Sequence, residues 1–80
     1  MEVANIATLN IGDQVAITIK SIDEMGLLVT MDAYQHEAFV SLSEAYKRVN
    51  GARPKRKVGD QCMATIIRMD NQRGFFDLSL

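Results

Sequence analysis

Two near-identical tetrapeptides, Ile11-Gly12-Asp13-Gln14 and Val58-Gly59-Asp60-Gln61, each stand directly before a long β-branched run. A Gly-Asp turn is a simple way to launch a strand at a sheet corner, because glycine reaches backbone conformations closed to other residues. After the first copy, Val15, Ile17 and Ile19 alternate with Ala16, Thr18 and Lys20. That period of two predicts a strand over residues 14–22 with one buried face. After the second copy, residues 61–69 read as another long strand. Unlike sequence follows the two copies, so they do not make a solenoid repeat.

The remaining segments are shorter. Asp23-Glu24-Met25-Gly26 is turn-like, and residues 27–31 read as a second strand. Residues 32–36 form a polar connection, and residues 37–42 give a third strand through Phe39 and Val40. The Ser43–Arg48 stretch has helical propensity and a serine suited to capping a turn. Asn50, Gly51 and Pro54 then deny a long helix. Residues 43–57 are therefore expected to form one helical turn and a mobile loop. Asp70-Asn71-Gln72-Arg73-Gly74 has hairpin-loop chemistry, and residues 75–79 are the fifth strand. Five short strands, with the longest connection between the third and fourth, fit an all-β fold: a closed five-stranded OB-fold barrel with a helical turn and loop inserted mid-chain. Closure also removes the edges that make small sheets pair with other chains. An SH3-like barrel offers no obvious place for the insert.

Eighty residues allow one domain, residues 1–80, and 48% apolar with 24% charged residues is ordinary globular composition. No apolar run approaches the roughly 20 residues that span a bilayer, and no secretory signal opens the chain, so a cytoplasmic protein with no membrane partner is expected. Trp is absent and five Met residues are expected to share in filling the core. The single cysteine excludes an internal disulfide and thiolate metal clusters. With one histidine and no nucleophile pattern, no catalytic residue, metal ligand or cofactor site is expected.

Charge is segregated. Residues 47–57 carry six of the nine cations, Lys47, Arg48, Arg53, Lys55, Arg56 and Lys57, and none of the ten acids. A one-sided basic segment on an acidic body suits an anionic, phosphate-rich partner. Solvated faces usually mix both signs.

The remaining candidates read more blandly. His36, beside Glu37, is expected to be a surface loop residue rather than a general base. Cys62 reads as an inert thiol where the fourth strand begins. Asp70 and Asp77 suit turn and barrel-end hydrogen bonding. Phe75 and Phe76 are adjacent on a strand and must face opposite sides.

Taken in order, Ile11-Gly12-Asp13, Met25-Gly26-Leu27-Leu28-Val29, the Glu37–Glu44 stretch, Lys57-Val58-Gly59-Asp60, Arg68-Met69-Asp70 and Gly74-Phe75-Phe76-Asp77-Leu78-Ser79 resemble the ribosomal S1 type of OB-fold domain. A finer resemblance is to the amino-terminal domain of the translation initiation factor 2 alpha subunit. It rests on Ile22-Asp23-Glu24-Met25-Gly26, on Glu37 to Glu44 with Ala38 in place of a glycine, and on Arg73 to Ser79. The resemblance implies RNA, the ribosome or initiation-factor subunits as partners of a monomeric module. It also implies a kinase-docking stretch over Arg73, Gly74, Phe75, Phe76 and Asp77. The position that matches the family's phosphoacceptor serine is Tyr46, followed by Lys47, Arg48 and Val49, and no Ser or Thr occurs from Ala45 to Cys62. Regulation by serine phosphorylation in this loop is therefore not expected. The family's base-stacking positions carry Met25, Leu28 and Ser41, so the stacking platform is expected to be absent. That leaves the basic loop, with Lys20, Arg68 and Arg73, to contact nucleic acid.

Two readings follow. The first is a non-catalytic translation-initiation module that contacts RNA or the ribosome through the basic loop. The second is a pseudosubstrate inhibitor of the kinases that phosphorylate the alpha subunit, as in stand-alone viral copies of this domain. An opening Met1, an end just after the last strand, and docking-like residues without an acceptor serine suit that second reading.

Overall fold

The computed structural model describes residues 3–48 and 50–80; Val49, part of the basic segment, lies outside the described residues, as do residues 1 and 2. Its strands are β1 (Gln14–Asp23), β2 (Gly26–Met31), β3 (His36–Ser41), β4 (Gln61–Asp70) and β5 (Phe75–Ser79). They close in the order β1-β2-β3-β5-β4. Every neighbouring pair is antiparallel except β3 and β5, which run parallel and share one register pair, Phe39 with Asp77. The expected closed five-stranded barrel is the observed one.

Alternation decides what fills it. Val15, Ile17 and Ile19 point inward from β1, Leu27, Val29 and Met31 from β2, Ala38 and Val40 from β3, Ala64 and Ile66 from β4, and Phe76 and Leu78 from β5. The pattern breaks on β1 after Ile19, where the register with β2 shifts and residues 20–23 all become exposed. There the end of β1 turns its side chains to solvent, while Gly26 and Leu27 of β2 stay buried and paired with Ser41 and Val40 of β3. Asp23 closes the hairpin tip, its Oδ1 accepting from the backbone N–H of Met25 (2.8 Å) and Gly26 (3.2 Å).

The methionines do not fill the core as expected. Of those described, only Met31 is fully buried; Met25 and Met63 are exposed and Met69 packs at the margin. Strand parity and the hairpin tip place the others outside, and β-branched residues with Leu27, Leu78, Met31 and Phe76 fill the interior.

The paired tetrapeptides form a reciprocal clasp. Gly12 N–H donates to Ile66 O (2.8 Å) and Ile66 N–H to Asp13 O (2.9 Å), while Gly59 N–H donates to Ile19 O (2.8 Å) and Ile19 N–H to Asp60 O (2.9 Å). Each turn thus grips the strand launched by the other. Both glycines take the same left-handed backbone, φ +95° and +93°. Gln14 pairs with Thr65 and Thr18 with Gln61, so β1 and β4 are related locally by a two-fold. The sequence echo is a structural echo, and it fixes the end of the basic loop against the middle of β1.

Smaller differences from the sequence reading lie at the connections. A 3-10 turn, Asp32–Tyr34, occupies part of the polar connection, and Thr18 Oγ1 donates to the Asp32 carboxylate (2.8 and 3.0 Å). Another, Ile6–Thr8, stands in the lead, with Asn5 Oδ1 accepting from Ala7 N–H. Helix α1 (Leu42–Ala45) begins immediately after β3. Ser41, not Ser43, occupies its cap position, and Ser41 makes no side-chain capping bond. The cause is that the buried small side chain of Ala45 must dock on the barrel end, which sets where the turn begins.

Candidate nucleic-acid interface

The basic segment emerges where α1 ends and returns at the Gly59–Asp60 clasp. Tyr46 N–H donates to Leu42 O (3.0 Å), closing the helical turn. The chain then reverses at Asn50 and Gly51, both in the left-handed region, φ +53° and +78°. Three arginines brace the loop from within. Arg48 Nη1 donates to Gly51 O (3.2 Å), and Arg56 Nε donates to Ala45 O (2.9 Å), a carbonyl at the end of α1. The Arg53 guanidinium lies over the Tyr46 ring, 5.1 Å from its centroid. Between these braces lies a cleft of about 640 Å³, with Tyr46, Arg53, Pro54, Lys55, Arg56 and Lys57 among its lining residues.

Ion pairing separates the cations into two sets. Lys47 Nζ meets Glu44 Oε1 at 2.7 Å and also donates to Ser79 Oγ at 3.1 Å. Its ammonium, with the Ser79 hydroxyl, holds the Glu44 carboxyl below its usual range. Arg48, Arg53, Lys55, Arg56 and Lys57 have no carboxylate partner among the described residues. The other cations outside the loop are all matched. Lys20 pairs with Glu37, Arg68 with Asp77 (3.6 Å) and Arg73 with Asp70 (3.7 Å). Lys20, Arg68 and Arg73, the further cations expected to contact nucleic acid, each face a carboxylate across the barrel wall or a turn and stay exposed. Asp60, at the edge of the cleft, has its Oδ2 turned to the Lys57 backbone N–H (3.1 Å). Close by, at the start of β4, burial raises the Cys62 thiol pKa; Arg56 opposes the shift and Asp60 adds to it.

The second candidate stretch, Arg73 to Asp77, does not present one face. Phe76 is 1% exposed and belongs to the core, while Phe75 is 52% exposed. Arg73 N–H donates to Asp70 Oδ1 in the hairpin turn (3.3 Å), and Asp77 bridges to Arg68 on β4. Gly74 O receives a hydrogen bond from His36 Nε2 (2.7 Å). His36 is therefore not a surface loop residue. It opens β3, is half-buried, and packs edge-on to Phe76 with ring centroids 5.5 Å apart.

The outer sheet face also departs from expectation. Met25, Leu28 and Ser41 stand where a stacking platform is missing, with Met25 exposed and the other two half-buried. Two aromatics that the sequence reading did not assign to this face, Phe39 and Phe75, nevertheless line a common groove of about 600 Å³ with Ile67 and Arg68. The parity of Phe39 relative to Ala38 and Val40 was the available signal. The Tyr46–Arg53 and Arg56–Ala45 contacts left no such signal, because they depend on how the loop folds back.

The sequence profile described as the S1 RNA binding domain matches residues 8–80. The chain belongs to the S1 RNA-binding domain family. Among curated relatives, the translation initiation factor 2 subunit alpha of Thermococcus kodakarensis is 38% identical over 71 residues, covering 86% of this chain and 26% of that protein. The same subunit from Pyrococcus horikoshii matches to the same extent. The chain thus spans about a quarter of the length of these relatives. Among solved structures, a complex of a/eIF2alpha with aDim2p and rRNA from Pyrococcus horikoshii superposes with a TM-score of 0.79 at 33% identity, covering 90% of this chain and 44% of that one. The intact alpha subunit of aIF2 from Pyrococcus abyssi gives 0.78 at 33% identity, covering 90% and 28%. This S1 domain is homologous to the amino-terminal part of the archaeal alpha subunit.

Proposed function

We propose that residues 1–80 act as one non-catalytic module of the translation initiation factor 2 alpha type, monomeric and cytoplasmic, which contacts RNA of the initiation machinery through its basic loop. The observation that carries this reading is the set of five loop cations without a carboxylate partner among the described residues, on a loop fastened at both ends to a closed barrel. In this reading Arg48, Arg53, Lys55, Arg56 and Lys57 meet phosphates. Contacts of this kind release counterions, so affinity for a single strand falls with salt at a log–log slope of about −0.7 per phosphate neutralised. Replacing Lys55, Arg56 and Lys57 together by Gln is expected to flatten that slope by about 2. Binding of an RNA strand measured by fluorescence anisotropy across a salt series checks this. No binding at low salt, or an unchanged slope in the triple variant, contradicts it.

A second reading, a decoy for alpha-subunit kinases, draws support from the exposed Phe75 ring and from Tyr46 at the acceptor position. It requires that the protein slow phosphorylation of the true subunit and that Phe75→Ala relieve the effect. Absence of inhibition at micromolar concentration removes it.

A further inference from the structure

The cleft beneath the basic loop combines charge with an aromatic wall, and this goes beyond phosphate binding. We infer that it is a pocket for one unpaired nucleotide of an RNA strand, with the base stacked on the Tyr46 ring and its phosphate held by Arg56 and the flanking lysines. The inference rests on the RNA-binding reading above and deepens it.

Four features carry it. First, Tyr46 is half-buried against the core, so its ring is held by packing while it still lines the cleft. Second, the group over the ring is the Arg53 guanidinium, planar, exposed and without a carboxylate partner among the described residues. A planar cation held only by a ring face marks a surface that a base can occupy, leaving Arg53 free to turn to phosphate. Third, Arg56 is half-buried and tied through Nε to Ala45 O, which fixes the guanidinium without using the donors on its two terminal nitrogens. Lys55 and Lys57 stand on either side in the chain. Fourth, about 640 Å³ lies within the range of roughly 300–1,000 Å³ for pockets that hold small molecules and cofactors. The lining carboxylate, Asp60, is engaged with the Lys57 backbone and does not close the cavity to an anion.

The chemistry selects a strand state. Bases stacked inside a duplex present no face to a side chain, whereas an unpaired base does. Stacking also adds affinity without releasing counterions, so Tyr46 and the lysines act on separable observables.

The test uses the full chain with a short single-stranded adenylate RNA and an abasic strand of equal length and charge. Affinity for each is measured across a salt series for the unmodified protein, Tyr46→Phe and Tyr46→Leu. The pocket requires that Tyr46→Leu weaken adenylate binding about fivefold or more with the salt slope unchanged. The same variant must leave abasic binding alone, and Tyr46→Phe must retain the native affinity. Equal losses on both strands, or none on adenylate, overturn the inference while leaving phosphate contact intact. Failure of both strands to bind at low salt overturns the inference and the reading beneath it. Because Tyr46 also packs on the core, the unmodified protein supplies an independent readout by NMR. Its Tyr46 ring protons should move upfield with the adenylate strand and not with the abasic one; rings that do not respond overturn the inference.

Discussion

Of the five glycines, Gly26 is the one that leaves least room for a side chain. It sits at φ +148°, and a Cβ built on it would stand 2.2 Å from Val40 O and 3.0 Å from Ser41 Cα. Both neighbours are backbone or next to it, so the clash cannot be relieved by turning a side chain. Gly26→Ala is expected to destabilise the domain by roughly 2–4 kcal/mol. Urea unfolding that shows a loss under about 0.5 kcal/mol would contradict the geometry. Gly12 and Gly59 are different, because nothing lies within 4 Å of a Cβ at either and only their left-handed backbone favours glycine. At Cys62, burial raises the thiol pKa, so alkylation at pH 8 should run slower in the folded protein than in urea; equal rates would show the thiolate to be freely formed. Glu44 gives a pH signature. Its folded pKa lies below the usual value near 4.5, so its contribution to stability is present above that value and is lost as pH falls through the depressed one. Glu44→Gln should remove part of the acid-side fall in thermal midpoint, and an unaltered acid limb would dismiss the Lys47 contact as inconsequential. The sequence makes Gly26 legible as a turn glycine. It cannot disclose the approach of Val40, which comes from a different strand.

Among the elements, the β3–β5 seam is the weakest join, with one register pair against five or more at each of the other joins. His36 compensates. It spans from the start of β3 to Gly74 in the turn just before β5, and a Cβ at Gly74 would lie 3.1 Å from its ring. His36→Ala is therefore expected to speed amide hydrogen exchange around residues 74–77 more than around the β1–β4 pair. A uniform increase, or none at the seam, would remove the latch. The strands themselves were legible because period-two alternation of β-branched residues has one structural solution. The latch was not, since His36 and Gly74 are far apart in sequence and meet only once the barrel closes. The boundary of α1 was misplaced for a similar reason: the docking of Ala45, not the capping chemistry of Ser43, sets its start.

At the scale of the molecule, closure does two things. It buries the alternate residues of five strands, and it gives the longest connection two firm anchors, α1 and the Gly59–Asp60 clasp. The charge segregation visible in residues 47–57 survives folding, with Lys47 withdrawn by Glu44 and five cations left without a carboxylate among the described residues. Composition could not show which cation would be withdrawn, because that depends on α1 bringing Glu44 beside Lys47 and Ser79. On the proposed reading RNA meets the loop rather than the outer sheet face, where Phe39 and Phe75 line the rival groove. Backbone amide chemical-shift mapping with a short single-stranded RNA tests this most directly. The largest changes are expected at residues 46–57, diminishing in the Lys55, Arg56 and Lys57 triple variant; largest changes instead at Leu28, Phe39 and Phe75, with the loop unmoved, would contradict loop binding.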